Sequence, residues 1–291
     1  MKVTRDFERE SAALLSAVII VKPLREATVP SALGRHIRAW FLSQLQETDP
    51  ALAHRLHEGS RLRPYTVSNL YGAGPPRDGR VFLWPDQECR FRVTALTDEL
   101  SATLLSRSNG ALPEPGDRLR LDRGEFVVQD VIINADEDGW AGQASYEALL
   151  RRHALETHGT PRSVVLHFSS PTLVRRNDKD MPLPLPRHVF QSYLQKWNAF
   201  APQALPEEAA RYADECVALG RFKIESHLVS FEEAGKGAHV GFTGYVRFRF
   251  LVGDPYWTRL MRLLAEYAFW CGTGYRTTVG LGQTHLLRKR L

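Results

Sequence analysis

The sequence predicts an α+β protein of two consecutive units, each running strand, helix, strands, helix, strand. Three observations support this. A β-branched apolar run opens each half, a stripe of apolar residues at helical spacing follows each run, and a polar stretch from Asp136 to Pro161 separates the two patterns.

In the first half, residues 11–23 (SAALLSAVIIVKP) read as a buried strand, too short for a comfortable helix and bounded by Pro23. Ser31 is the expected N-cap of a helix whose stripe Ile37, Phe41, Leu45 stops at Thr48-Asp49-Pro50. A short helix runs from Ala51 to His57. Strands follow between Pro64 and Val93, where RVFLW and CRFRV alternate across turns such as AGPPRDGR. Asp98 to Arg107 reads as a helix and residues 124–133 as a strand. The second half repeats the order: a strand at 163–171, a proline-rich loop (MPLPLPRH), and a helix from His188 to Phe200 with the stripe Phe190, Leu194, Trp197. Two long strands, Arg221 to Ser230 and Val240 to Val252, precede a helix from Tyr256 to Trp270 and a last strand from Gln283 to Leu287. This is the order of a split β-α-β, ferredoxin-like unit, so two tandem ferredoxin-like domains are expected, 1–140 and 141–291.

Composition narrows the class. At 291 residues and 43% hydrophobic content the chain can build its core without a metal or disulfide framework. Cys89, Cys216 and Cys271 are scattered and odd in number, which suggests a reducing, cytoplasmic compartment and no zinc site. The longest apolar stretch, Ala12 to Val21, is too short to span a bilayer, so no membrane partner is expected. Charge is unevenly spread. Residues 1–140 carry eighteen basic against twenty acidic residues, and residues 141–291 carry twenty against thirteen. An anionic partner is expected on the basic half, and nucleic acid is the commonest one, because phosphate neutralisation releases counterions.

The densest chemical signal is Cys271-Gly-Thr-Gly-Tyr-Arg-Thr-Thr-Val-Gly-Leu-Gly-Gln, with Gly272, Gly274, Gly280 and Gly282 in a G-x-G-x5-G-x-G pattern. A dinucleotide loop lies after a strand and before a helix. This one follows a helix and precedes a strand, so that reading fails. The glycines would permit positive φ and offer backbone N–H groups to an anion, with Tyr275 and Arg276 supplying a stacking surface and a cation. A glycine-rich hairpin that only turns the chain is the other reading.

This loop resembles the C-terminal signature of the CRISPR-associated precursor-crRNA processing endoribonucleases of the RAMP superfamily, the Cas protein six type. Two further segments are similar to the family: Asp49 to Gly59 followed by Pro64-Tyr65-Thr-Val-Ser68, and Phe168-Ser-Ser-Pro171-Thr172 with PLPLPRHVFQSYLQKW. The resemblance implies two RRM-like RAMP folds that bind CRISPR repeat RNA as monomer or homodimer, with no cofactor. It implies cleavage by a ribose 2′-hydroxyl without a metal, leaving a 2′,3′-cyclic phosphate and a 5′-hydroxyl. Such a reaction needs a base, an acid and positive charge at the transition state.

Histidine suits the proton transfers because both of its forms exist near neutral pH. His57, at the end of the short helix before Glu58-Gly59, matches the family's histidine and is the first candidate. The alternative is a surface histidine favoured by the helix dipole. His54, one turn earlier, makes an H-x-x-H pair with it but has no third ligand nearby, and His36 in the first helix is a third option. Arg63 stands where relatives carry a lysine, and Leu42 where some carry a tyrosine. Arg63 or Arg61 would then act electrostatically, since arginine neither gives up nor takes a proton at working pH. In the strand Gly244 to Val252, Arg247 and Arg249 share a face with Tyr245 that could track RNA, although any half-solvated strand alternates in this way. Arg175, Arg176 and Lys179, and the run Arg288-Lys-Arg290, are further basic candidates. The competing expectations are a non-catalytic crRNA-binding subunit of an interference complex and an unrelated ferredoxin-like binding module.

Overall fold

The computed structural model describes residues 12–58, 62–106, 110–154, 160–176, 179–231 and 238–287. The first sheet is built from β1 (Leu14–Pro23), β3 (Tyr65–Val67), β5 (Cys89–Ala95), β6 (Arg118–Leu121) and β7 (Gly124–Ile132), in the order β3-β5-β1-β7-β6. β2 (Ala27–Pro30) and β4 (Arg80–Leu83) form a separate two-stranded ribbon. Helices α1 (Gly34–Thr48), α2 (Pro50–Glu58) and α3 (Asp98–Leu105) belong to this half. Ile37, Phe41 and Leu45 are fully buried, as their spacing requires, in one cluster with Ile19, Phe91 and Phe126.

The second sheet comprises β9 (Ser163–Thr172), β12 (Val217–Val229), β13 (His239–Phe250) and β14 (Thr284–Leu286), ordered β12-β13-β9-β14 and antiparallel throughout. A hairpin of β10 (Val174–Arg176) and β11 (Lys179–Met181) precedes α5 (Pro186–Phe200), and α6 (Glu208–Glu215) follows it. α7 (Pro255–Cys271) packs with α5 on one face of the sheet. In each sheet the first and third strands of the split β-α-β order lie centrally and the second and fourth flank them, which is the ferredoxin-like arrangement. Trp197, Tyr193, Phe190 and Tyr267 are all at 0% exposure. Burying each apolar side chain of this kind contributes roughly 1.5–3 kcal/mol.

Three local readings differ from the sequence expectation. Ser31 does not cap α1: the helix starts at Gly34, and Asn69 Oδ1 accepts from the Leu33 N–H at 2.7 Å, so a residue 36 positions away supplies the capping acceptor. The polar stretch 136–161 contains β8 (Gly142–Ala144), which pairs with β1, and α4 (Tyr146–Ala154), whose Tyr146 hydroxyl reaches Leu96 O at 2.9 Å. The short helix α6 was not anticipated. Its buried stripe of Ala209, Tyr212 and Ala213 lacks large aliphatic residues. Among the described residues no helix is long and apolar enough to cross a membrane.

The two sheets are joined chiefly through the end of α7 and the loop after it. Thr94 Oγ1 donates to Trp270 O at 2.9 Å. Gly280 N donates to Val67 O at 3.1 Å, and Gly34 lies so close to this loop that a Cβ there would be 2.1 Å from Val279 O. Gly34→Ala is therefore expected to force backbone apart and destabilise by about 1–3 kcal/mol. Gly253→Ala, where a Cβ meets nothing within 4 Å, should leave the thermal unfolding midpoint unchanged. Equal midpoints for the two variants would contradict this account of the interface.

Candidate nucleic-acid interface

The glycine loop is held from inside the protein. Gly272, Gly274, Gly280 and Gly282 all have positive φ. At Gly274 a Cβ would stand 2.2 Å from Leu173 O, and at Gly282 2.2 Å from Thr273 O, so these two positions require glycine on both conformational and steric grounds. The expectation that the glycine amides would face an anion needs correction. Gly272 N donates to Ala268 O, Gly274 N to Ser192 Oγ, Gly280 N to Val67 O and Gly282 N to Pro171 O. What the loop presents instead is the side chains of Tyr275 and Arg276. Arg276 adopts the left-handed conformation (φ 59°, ψ 31°) usually left to glycine, a strain of about 1–3 kcal/mol that the surroundings must offset.

Two buried cations brace this loop, and neither was singled out in the sequence. Lys196 on α5 donates to Cys271 O at 2.7 Å, Gly272 O at 3.1 Å and Thr277 Oγ1 at 3.3 Å, and burial lowers its pKa. Arg92 on β5 is fully enclosed. It donates to Ser16 Oγ and Gln283 Oε1, both at 2.7 Å, and to Phe269 O, and it lies over the Phe269 and Trp140 rings. Burial pushes its pKa down to about 9. A lysine beside Trp197 in an apolar stripe was the visible signal for the first. Arg92 sits in an ordinary alternating strand and gave none.

Beside the loop opens a cleft of about 1680 Å3. Its basic lining comes from Arg35 and Arg38 of α1, Arg63 after α2, Arg175 of β10, Arg187 and Lys196 of α5, and Arg276. Acidic neighbours compensate part of this charge: Arg175 lies 3.5 Å from Asp180, and Arg187 lies 2.7 Å from Asp214. Arg38 Nε donates to the Tyr65 hydroxyl at 3.1 Å. The cleft thus draws on both halves of the chain, including the half whose net charge is negative.

His57 stands exposed in the last turn of α2, and Arg63 Nη2, from the cleft lining, donates to its backbone carbonyl at 3.0 Å. His54 is exposed one turn earlier. His36 is half-exposed. Its Nε2 lies 3.9 Å from Asp122 Oδ1 in the β6–β7 turn, its Nδ1 is enclosed with no hydrogen-bond partner among the described residues, and neither His36 nor His57 is among the residues that line the cleft. Arg61, the side chain of Arg176 and Arg288 to Arg290 lie outside the described residues. Arg247 and Arg249 are brought to neither His57 nor the glycine loop. They stand on the open face of the second sheet, opposite Val165 and Ser163 of β9, while Val246, Phe248 and Phe250 fill the core. Among the described residues no three His, Cys, Asp or Glu side chains are grouped to hold a metal.

The same open face carries one row across four strands, Lys223, Tyr245, His167 and His285. His167 stacks on Tyr245 with centroids 4.2 Å apart, and His285 meets Trp140 edge-on at 4.7 Å. Desolvation, then His167 and Arg92, pushes His285 down to about 4 from an ordinary 6.5. Between those values the unfolded chain binds a proton that the folded one refuses. The stability from a neutral His285 is therefore complete above pH 6.5 and lost as pH falls toward 4. His285→Asn should flatten the wild-type decline in thermal midpoint across that window; parallel curves for the two proteins would exclude His285 as the cause.

Comparison with known proteins now bears on the whole chain. Residues 166–284 match the model of the family described as CRISPR-associated endoribonuclease Cas6. No curated relative matches the sequence. Among solved structures, a Cas6 product complex superposes with a TM-score of 0.72 at 26% identity, covering 94% of this chain and 99% of that one. A Thermus thermophilus Cas6 gives 0.67 at 23% identity, covering 95% and 99%. A Cas6-related protein from Pyrococcus furiosus gives 0.56 at 13%, covering 95% and 100%. The second and third show the fold alone. The family model falls on the second sheet and its glycine loop, and the whole-chain superposition adds the first sheet with α1 and α2, so the chain is similar in fold to Cas6 along nearly its whole length and similar to the family in sequence over its second half.

Proposed function

We propose that this chain is a metal-independent endoribonuclease that cleaves CRISPR repeat RNA within precursor transcripts and so generates guide crRNAs. The observation that carries the proposal is the arginine-lined cleft between α1, the α2–β3 connection, β10 and the glycine loop, whose Arg63 is bonded to the backbone of His57. Relatives of the same fold have been solved as Cas6 product and substrate-mimic complexes, which supports RNA as the occupant.

In the proposed reaction a ribose 2′-hydroxyl loses its proton to a base, its oxygen bonds to the adjacent phosphorus, and the bond from phosphorus to the 5′-oxygen breaks as an acid protonates the leaving group. The products are a 2′,3′-cyclic phosphate and a 5′-hydroxyl. His57, exposed at the end of α2, is the first candidate for the proton-transfer residue, and the half-exposed His36 beside Asp122 is the alternative. Arg63, Arg35 and Arg38 supply positive charge where the phosphorane-like transition state gains negative charge.

The test is cleavage of repeat RNA from the neighbouring CRISPR array in EDTA. Wild type should cut and leave a cyclic phosphate. His57→Ala should lose about 10²–10⁴-fold in rate while still binding the RNA. Full activity in His57→Ala would remove that residue from the mechanism, and tight binding without cleavage by wild type would point to a non-catalytic crRNA-binding subunit.

A further inference from the structure

Behind the glycine loop the side chains form an alternating series of cations and rings. Arg175 lies over the Tyr275 ring at 5.0 Å and Arg276 over the same ring at 5.3 Å. Arg276 lies over Phe231 at 4.7 Å, and Arg35 lies over Phe231 at 4.6 Å. The series crosses from the β10 hairpin through the loop to the first turn of α1. All three arginines line the basic cleft.

Phe231 is different. It is 3% exposed, packs with Leu173, Val279 and Leu281, and is absent from the basic cleft, lining instead a second cavity on the far side of the loop. It therefore cannot stack on a nucleobase in the basic cleft. What it does hold is the two guanidinium groups that reach the cleft from different halves of the chain. Like charges repel, and the negative face of an aromatic ring is one of the few neutral surfaces that attracts a guanidinium.

We infer that Phe231 is a positioning residue that holds Arg35 of α1 and Arg276 of the glycine loop as one clamp for the phosphodiester backbone of the RNA; this rests on the ribonuclease reading above. The clamp spans the junction of the two units, so it engages RNA only when both are correctly docked. The sequence offered no sign of this, because Phe231 lies 45 residues from Arg276 and 196 from Arg35.

The test uses the full chain and a repeat RNA carrying 2′-deoxyribose at the mapped cut site. Phe231→Leu keeps an apolar side chain but removes the ring. It is expected to weaken RNA binding roughly five- to tenfold. The slope of log affinity against log salt should become shallower by about 0.7, the equivalent of one single-strand phosphate contact. On cleavable RNA, KM should rise and kcat should fall, because Arg35 is held both for the bound phosphodiester and for the charge that builds at the transition state. In an Arg35→Gln, Arg276→Gln background the same substitution should cost no further affinity, although its cost in thermal midpoint persists. Affinity and salt slope equal to wild type, or an equal loss in both backgrounds, would overturn the inference. If Phe231→Leu does not fold, Phe231→Met replaces it. The two arginine substitutions also decide independently, since a shared clamp makes their losses less than multiplicative and independent contacts make them multiply. Absence of RNA binding by the wild type would instead overturn the ribonuclease reading itself.

Discussion

Everything near the candidate site depends on a close backbone contact between the two halves of the chain. The Val279–Gly280 segment of the loop lies directly on Gly34 and Val67, and the carbonyl of Trp270 is bound by a threonine of the first sheet. At Gly34 the contact leaves no room for a Cβ, whereas Gly280 on the other side needs glycine for its positive φ of 99°. They also fix the first turn of α1, and with it Arg35 and Arg38, against a loop that belongs to the other end of the sequence.

The loop would not keep this shape on its glycines alone, since glycine has the most conformational freedom to lose. Lys196 gathers two carbonyls at the loop entrance and a threonine hydroxyl within it, and Arg92 holds Gln283 at its exit. The bonding partners of both cations are neutral oxygens, so neither charge is cancelled by a bonded carboxylate. A buried charge of this kind is costly and weak evidence of net stability. Its effect here is geometric: carbonyl oxygens are drawn inward, and the Arg276 side chain is left on the cleft side. The positive potential of Lys196, which lines the same cleft, also adds to that of the arginines around it.

Much of the fold was legible because its periodicities are local. The stripe Ile37, Phe41, Leu45 and the alternation of Val246, Phe248 and Phe250 point to buried faces without any knowledge of partners, and both are buried as their spacing demands. Elements whose stability comes from distant residues were not legible. Ser31 has the right chemistry for an N-cap, but Asn69 outcompetes it from another segment; β8 is a strand only because β1 offers an edge. The site divides along the same line. Histidine at the end of α2 and the glycine spacing could be read directly. The destination of the glycine amides, the placing of His36 beside Asp122, and the roles of Lys196, Arg92 and Phe231 are set by tertiary contacts that no window of sequence contains.

Arrangement and chemistry together suggest a division of labour on the proposed reading. The groups that must change protonation are best left exposed, as His57 is, because a desolvated imidazole such as His285 is driven neutral and cannot act as an acid near pH 7. The groups that only supply charge gain from rigidity, because preorganised cations need not be rearranged as the transition state forms. Arg276 in its strained left-handed backbone and Arg35 at the start of a helix clamped against the loop meet that requirement. A phosphodiester held by such groups would be presented to an exposed histidine.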